Sequence, residues 1–391
     1  MSQKKSGSKA KPVSVDKDQL AEALKTVEPL TQARSEEKWR SSVMIESAPR
    51  KVRVRAQNDN TEATIALNAT SGILSSAVPH RAFRKSIDAF AEGKVELSSD
   101  EDKLKASRGH RTLSLTQAAG DEFPEPLDVG EPLADQAALK LAGDTLAEAL
   151  ALTGRCASVD ETRPSLNSVA LDSSGGKLVM VATNSYHLTK IELDVKNDVQ
   201  LSEPLLVHLS AALAMAKDLK SRKAELAELQ LYSDGVSVDY DQVGWRSRRL
   251  LGSFPAWRHL LPEQGFELRL DRDELTSSLK AIRAVASGNA PVRIELGSEV
   301  IVKYKSMEIG QLEERLPSAV WDGNPMTVGF SHQYLEDLLR VVQGDEITGM
   351  LTSETHPAYF SSPGRGYLVM PVRNTEIITD IDRIAGADSK G

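Results

Sequence analysis

Gly143-Asp144-Thr145-Leu146-Ala147-Glu148-Ala149-Leu150 reads as the start of an amphipathic helix, and the chain writes it three times. Lys17-Asp18-Gln19-Leu20-Ala21-Glu22-Ala23-Leu24 comes before it and Arg272-Asp273-Glu274-Leu275-Thr276-Ser277-Ser278-Leu279 after it. Asp18, Asp144 and Asp273 stand 126 and 129 residues apart. In each copy an acidic residue sits where a helix N-terminus favours negative charge, and leucines four apart share one face. An alternating apolar stretch precedes each: Pro12 to Val15, Leu139 to Leu141 and Phe266 to Leu270.

Working outward, a second helix recurs at Val78-Pro79-His80-Arg81, Val207-His208-Leu209-Ser210 and Phe330-Ser331-His332-Gln333, with spacings of 129 and 123. Two landmarks with nearly the same period mark an internal repeat. Gly120-Asp121-Glu122-Phe123-Pro124 and Gly252-Ser253-Phe254-Pro255 close the first two copies. Between the helices the pattern alternates with period two, the signature of strands with one buried face. Examples are Val52 to Arg55 with Thr64 to Leu67, Leu178 to Ala182 with Tyr186 to Leu193, and Val292 to Leu296 with Val300 to Tyr304. Leu229 to Tyr232 and Val236 to Val238, joined by Ser233-Asp234-Gly235, read as a hairpin. The expected fold class is α+β: three repeated domains of antiparallel sheets with two helices each, the helices covering one side of the sheets. The boundaries follow as a basic tail 1–11, domains 12–135, 136–263 and 264–374, and a tail 375–391.

The length of 391 residues suits two or three domains, and 40% hydrophobic with 27% charged residues is an ordinary globular balance. A single cysteine, Cys156, excludes an intramolecular disulfide and fits a reducing cytoplasmic setting. No apolar run approaches a membrane span. The chain has no phosphate-binding glycine loop, dinucleotide fingerprint, zinc-ligand spacing or nucleophile elbow. Gly364-Arg365-Gly366 is a partial glycine motif placed in a loop before a strand. The seven histidines are scattered, and Cys156, near the end of an apolar helix, reads as an inert packed thiol. A repeated scaffold without catalytic chemistry points to binding.

The net charge of −8 hides local excess positive charge. Arg81, Arg84 and Lys85 outnumber Asp88 on one helix. Lys217, Lys220, Arg222 and Lys223 outnumber Asp218 on another, and Arg272, Lys280 and Arg283 outnumber Asp273 and Glu274 on a third. A basic helix surface in an acidic chain suits sequence-blind, salt-sensitive contact with phosphates, and equally suits solvated helix faces.

These segments resemble the bacterial sliding clamp family, the beta subunit of the replicative DNA polymerase III. Arg163-Pro164-Ser165-Leu166-Asn167 and Thr183-Asn184-Ser185-Tyr186-His187-Leu188 are similar to its R-x-x-L-N and A-T-D-G-H-R-L segments. Gly252 to Pro262 resembles its G-x-F-P-x-[YW]-x-x-[VL]-[IL]-P segment, and Tyr367-Leu368-Val369-Met370-Pro371-Val372-Arg373 its C-terminal M-P motif. The resemblance implies a non-catalytic, cofactor-free processivity factor of the DNA clamp fold, a ring-forming head-to-tail homodimer around double-stranded DNA. It implies short peptides of the replicative polymerase, clamp loader and repair factors as partners. Their site falls on Leu166, Thr183, Ser185, Tyr186, His187, Leu188, Pro255, His259, Leu260, Val369, Met370, Pro371 and Arg373. Leu166, Leu188, Pro255, Leu260, Val369 and Met370 are expected to form its apolar floor. Arg34 and Arg163 fall at DNA-facing positions, joining Arg81, Arg84, Lys85, Lys217, Lys220, Arg222, Lys223, Lys280 and Arg283. The sequence departs from the family in Asn184-Ser185-Tyr186-His187, where the family has D-G-H-R, and in His259, where an arginine is common. An open peptide-binding scaffold, or an enzyme with an unrecognised site, are the competing readings.

Overall fold

The computed structural model describes residues 11–372 apart from 101, 118–121, 134–137, 196–199, 286–290 and 307–309. The first repeat comprises β1 (Val13–Asp16), α1 (Lys17–Val27), β2 (Ser42–Ala48), β3 (Lys51–Gln57), β4 (Thr61–Asn68), β5 (Ser75–Pro79), α2 (His80–Asp88), β6 (Lys94–Ser99), β7 (Lys103–Arg108) and β8 (Arg111–Thr116). The second comprises β9 (Leu139–Ala142), α3 (Gly143–Cys156), β10 (Ser168–Ser174), β11 (Lys177–Thr183), β12 (His187–Leu193), β13 (Leu205–His208), α4 (Leu209–Arg222), β14 (Leu226–Tyr232), β15 (Gly235–Tyr240) and β16 (Val243–Arg248). The third comprises β17 (Phe266–Asp271), α5 (Arg272–Val285), β18 (Pro291–Leu296), β19 (Val300–Ser306), β20 (Gly310–Arg315), a short β21 (Val320–Trp321), β22 (Met326–Ser331), α6 (His332–Val341), β23 (Glu346–Leu351), β24 (Ala358–Ser362) and β25 (Arg365–Val369).

The repeat is visible in hydrogen bonding as well as in order. Each opening strand pairs antiparallel with the strand after the second helix: β1 with β6, β9 with β14, β17 with β23. Each strand before the second helix pairs with the strand after the first: β5 with β2, β13 with β10, β22 with β18. The first amide of each opening helix donates to the residue just before the strand that follows the second helix. The pairs are Lys17 to Gly93 (2.9 Å), Gly143 to Glu225 (3.2 Å) and Arg272 to Asp345 (2.8 Å).

Some local details differ from the sequence reading. Asp18, Asp144 and Asp273 lie inside the first helical turn, and the caps come earlier. Asp16 Oδ1 accepts the Asp18 and Gln19 amides at 3.0 and 3.1 Å, and Asp271 Oδ1 accepts that of Glu274 at 2.9 Å. In the second copy the cap position holds Ala142, and the next residue is Gly143, where a Cβ would lie 2.0 Å from the Ala224 carbonyl oxygen. Val78-Pro79, Val207-His208 and Phe330-Ser331 finish strands, and the second helices start at His80, Leu209 and His332. Arg365 and Gly366 belong to β25 rather than to a loop, and Arg365 holds Glu148 with two nitrogens, at 3.2 and 2.6 Å.

The chain forms two compact units. One, chiefly residues 11–147 and Ser210–Leu250, holds an eight-stranded sheet β5-β2-β3-β4-β16-β15-β14-β9 and a four-stranded sheet β1-β6-β7-β8. A buried network ties α1 to α4 within it. The Asp218 carboxylate accepts from the Thr26 hydroxyl (3.0 Å), Arg222 Nε (3.1 Å) and the Tyr240 hydroxyl (2.5 Å), so no charge is left uncompensated. The other unit, chiefly Glu148–Asp194 and residues 251–372, holds a nine-stranded sheet β13-β10-β11-β12-β25-β24-β23-β17-β21 and a four-stranded sheet β20-β19-β18-β22. Leu275, Leu279 and Ile282 of α5 and Leu335, Leu338 and Val341 of α6 pack with Phe330, Phe360 and Tyr367 in its core.

Each four-stranded sheet has one closed edge and one open edge. Beyond β1, the Thr70 amide donates to Ser14 O and the Ser14 amide to Thr70 Oγ1. Beyond β22, the Val372 amide donates to Gly329 O and the Thr327 amide to Glu354 Oε1. Among the described residues, no backbone hydrogen bond crosses the outer side of β8 or β20. Among the described residues no helix is long and apolar enough to cross a membrane. No group of three or more His, Cys, Asp or Glu side chains among them could hold a metal.

Candidate functional site

Three segments far apart in sequence meet in the second unit. Leu188 of β12, Leu368 of β25 and Trp257 pack with Val179 and Val181 of β11, and Phe254, Leu261 and Tyr359 close over them. The register pairs His187 with Val369 and Leu188 with Leu368, and the Met370 amide donates to the Tyr186 carbonyl at 2.8 Å. A fourth segment joins through Arg163, whose guanidinium donates to the Ser185 hydroxyl.

The expected site residues fall at three depths. Leu166, Thr183, His187, Leu188 and Val369 are buried. Met370 and Pro371 are half-buried. Ser185, Pro255 and His259 are exposed, with Tyr186 at 60% and Leu260 at 45%. Arg373 lies outside the described residues. Of the expected floor, Leu166, Leu188 and Val369 are buried. What solvent meets is Tyr186, Leu260 and Pro255, with Met370 between core and surface.

The turn from β11 to β12 is fixed by its own side chains. Asn184 Oδ1 accepts the Tyr186 and His187 amides at 2.9 and 3.1 Å, and Thr183 Oγ1 accepts that of Ser185 at 3.1 Å. Ser185 sits at φ +82°, the left-handed region that suits glycine. The backbone there takes a conformation that a glycine adopts without strain. Ser185→Gly is expected to leave stability within about 0.5 kcal/mol, the relieved strain offsetting the added freedom of the unfolded chain. Ser185→Val is expected to cost about 1–2 kcal/mol, measured by urea unfolding.

Beneath the turn lies a buried polar cluster. His187 is 3% exposed, stacks on Tyr334 at 4.1 Å and is hydrogen-bonded through Nδ1 to the Tyr367 hydroxyl (2.8 Å). Burial pulls its pKa down to about 4, so the ring is neutral near pH 7. Cys156 Sγ lies 2.7 Å from Thr189 Oγ1, and burial pushes the thiol up to about 12, as an inert packed thiol requires. His187 supports the surface from below and does not line it.

The loop carrying Pro255, His259 and Leu260 is anchored by Asp172 of β10. This carboxylate is 3% exposed. Its Oδ2 accepts Trp257 Nε1 at 2.9 Å and Arg258 Nη1 at 2.8 Å, and the Arg258 guanidinium also lies 4.5 Å over the Trp257 ring. Sequence reasoning missed Asp172, because a lone aspartate at the end of a period-two run carries no signal. Trp257 and Arg258 did lie inside a motif already singled out.

The cationic positions divide similarly. Arg34, Arg81, Lys85, Lys217, Lys220, Lys223, Lys280 and Arg283 are exposed. Arg81, Arg84 and Lys85 line a cleft of about 690 Å³ beside α2 together with Thr31 and Ser41. Arg84 is ion-paired to Glu28, and Arg283 lies 3.8 Å from Glu336. Arg222 is spent on Asp218 and on the Thr26 hydroxyl (2.8 Å), with a side chain only 16% exposed. Arg163 is engaged with Ser185.

A unit of strand, helix, four strands, helix and three strands, written three times with one extra two-residue strand, β21, in the third copy and bearing exposed helical cations, is the clamp class of fold. The chain belongs to the DNA polymerase III beta subunit family: residues 140–256 match its central domain and residues 258–373 its C-terminal domain, together more than half of the chain. Among curated relatives, the beta sliding clamp of Lactococcus lactis subsp. lactis (strain IL1403) is 24% identical over 327 residues, 81% of this chain and 84% of that protein. That of Staphylococcus aureus (strain Mu50) is 25% identical over 304 residues, 76% of this chain and 79% of that one. Among solved structures, the Bacillus subtilis DNA polymerase sliding clamp has a TM-score of 0.85 at 20% identity, covering 94% of this chain and all of that one. The Pseudomonas aeruginosa DnaN sliding clamp bound to griselimycin gives 0.83 at 19% identity, covering 93% and 99%.

Proposed function

We propose that the protein is a DNA sliding clamp, a non-catalytic processivity factor working as a head-to-tail homodimer. In this reading three domains, 12–135, 136–263 and 264–374, form half of a ring whose helices face double-stranded DNA. Partners such as the replicative polymerase, the clamp loader and repair factors dock by short peptides on the Tyr186–Leu260 surface. The supporting observation is the pair of open edges. β8 begins with Arg111 and carries no carboxylate, while β20 carries Glu313 and Glu314. Both place a half-buried leucine-bearing face beside an unpaired backbone, Leu113 and Leu115 in one and Leu312 in the other. An unpaired edge recruits a strand, and two unlike edges on one chain make a head-to-tail interface that closes a ring when the rotation allows.

Exposed Arg81, Lys85, Lys217, Lys220, Lys280 and Arg283 supply phosphate attraction without base reading, so DNA contact alone is weak and salt-sensitive. Enclosure replaces affinity with topology. The chain loaded by its clamp loader onto nicked circular plasmid is expected to stay bound through a high-salt wash. It is expected to leave when the plasmid is linearised. Loss in salt from intact circles would overturn the ring and leave the open peptide scaffold.

A further inference from the structure

Two strand seams join one repeat to the next. β12, the fourth strand of the second repeat, pairs with β25, the last of the third, and β4, the fourth of the first, pairs with β16, the last of the second. Matching the registers sets Val179, Val181, Leu188 and Leu368 at the one seam against Arg53, Arg55, Glu62 and Arg246 at the other. Charge thus stands at β4–β16 where apolar side chains stand at β12–β25. One face of the first unit's large sheet buries Val54, Ile65, Trp245 and Val238. On its other face the register runs Arg55, Thr64, Gly244, Asp239, Glu228 across five strands, with Arg53 beside Ala66 in the next row. Thr64, Ala66 and Gly244 therefore floor a groove along the seam, part of a cleft of about 780 Å³. Arg53 and Arg55 form one wall, and Glu225, Glu228, Asp239 and Asp241 the other. Asp239 leans over the floor, since a Cβ on Gly244 would lie 2.8 Å from its Oδ1, and Arg246 offsets part of its charge. Lys51 Nζ reaches Gln242 Oε1 at 2.7 Å.

The cationic wall has donors to spare. Arg55 is 6% exposed, and its hydrogen bonds all leave Nη1, for Gln57 Oε1 (2.9 Å), Glu62 Oε2 (3.4 Å) and the Pro124 carbonyl (2.8 Å). Its buried Nε meets no acceptor among the described residues, an unmet demand on a charged group that is costly in a dry site. Arg53 and Glu225 are exposed, and among the described residues neither side chain has an ion-pair partner.

We propose that this groove is a second docking site, for an extended partner segment in which acidic and basic residues alternate. Successive side chains of an extended chain point to opposite sides. Laid along the seam, such a segment sets carboxylates toward Arg53 and Arg55 and cationic groups toward Glu225, Asp239 and Asp241. The small floor residues let its backbone lie close to the sheet. A segment with the same charges in blocks satisfies one wall at a time. Charge complementarity fixes the register of the contact and makes it sensitive to salt. The site requires neither the ring nor the Tyr186–Leu260 surface.

The test uses the full chain and two fluorescent, end-capped synthetic octapeptides of one composition. One alternates glutamate and lysine, and the other has its glutamates in a block before its lysines. The alternating peptide is expected to bind at least about 10-fold more tightly in dilute buffer. That advantage should vanish near 1 M salt, where the screening length falls to about 3 Å. Arg53→Gln and Glu225→Gln, one on each wall, are each expected to weaken its binding about 3-fold, and together about 10-fold. Both variants should melt with the unsubstituted chain, since neither side chain is buried. Equal affinity for the two peptides, no binding of either, or binding indifferent to both substitutions overturns the proposal. So does a loss of binding that appears only in step with a lowered melting temperature.

Discussion

Placing aspartates at both Leu113 and Leu115 is expected to convert the proposed dimer into single chains of 42.5 kDa. Both leucines face one side of β8 and are only half-buried by their own chain, so they are free to form an apolar seam with a second strand. In the head-to-tail reading that strand is β20, with Leu312 and Glu314 on one face and Glu313 on the other. Aspartates there would bring unpaired carboxylates into a low-dielectric seam beside two glutamates. A closed two-chain ring contains the seam twice, so each cost counts twice. A combined loss of about 4 kcal/mol weakens association about 1,000-fold, readable by analytical ultracentrifugation. The fold should survive, because partly exposed side chains on an unpaired edge contribute little within one chain. A variant that sediments as a dimer would remove β8 from the interface. A wild-type chain already monomeric at micromolar concentration would remove the ring.

The sequence carried the repeat because strand periodicity, helix-face leucines and acidic helix starts are local signals. They suffice to place α1, α3 and α5, the hairpin β14–β15 and the pair β18–β19. The joining of repeats into larger sheets is not local. β4 pairs with β16 and β12 with β25, and the period-two pattern of those strands would read the same with any neighbour. Depth was the other quantity out of reach. Leu188 and Leu260 are alike as sequence, yet one is 1% exposed and the other 45%. His187 stands in a motif that suggests a surface role, but Tyr334 and Tyr367 stack and bond it inside. Arg222 sits in a basic run and is claimed by Asp218 one helical turn away, an i,i+4 relation visible in the sequence. The hand of Ser185 is a third case, since an Asn-Ser turn does not announce a positive φ and the side-chain oxygens of Asn184 and Thr183, accepting from backbone amides, hold it.

Asp172→Asn is expected to weaken partner-peptide binding about 10-fold while leaving dimerisation and retention on circular DNA unchanged. The substitution keeps the shape of the side chain and removes its charge. Arg258 then faces a neutral amide. It keeps its bond to the Ser173 carbonyl, but loses the charge-assisted bond that held it over Trp257. Removing one partner of a buried pair generally costs about 3–5 kcal/mol. The Arg258 side chain is 45% exposed here, so water takes up part of the loss and roughly 2 kcal/mol of unfolding free energy is expected. The larger functional effect comes from position. Trp257 belongs to the same cluster as Leu188 and Leu368, and Pro255, His259 and Leu260 hang on either side of it. Once Trp257 Nε1 loses its carboxylate acceptor, the loop gains alternative seats, and a peptide must select the competent one before it binds. A purely positional role predicts loss of peptide affinity with the ring intact. Asp172→Glu, which restores the charge, should recover part of the affinity, as a charge anchor requires and a packing role does not. Peptide affinity unchanged in Asp172→Asn would show that the loop is held by its apolar contacts alone.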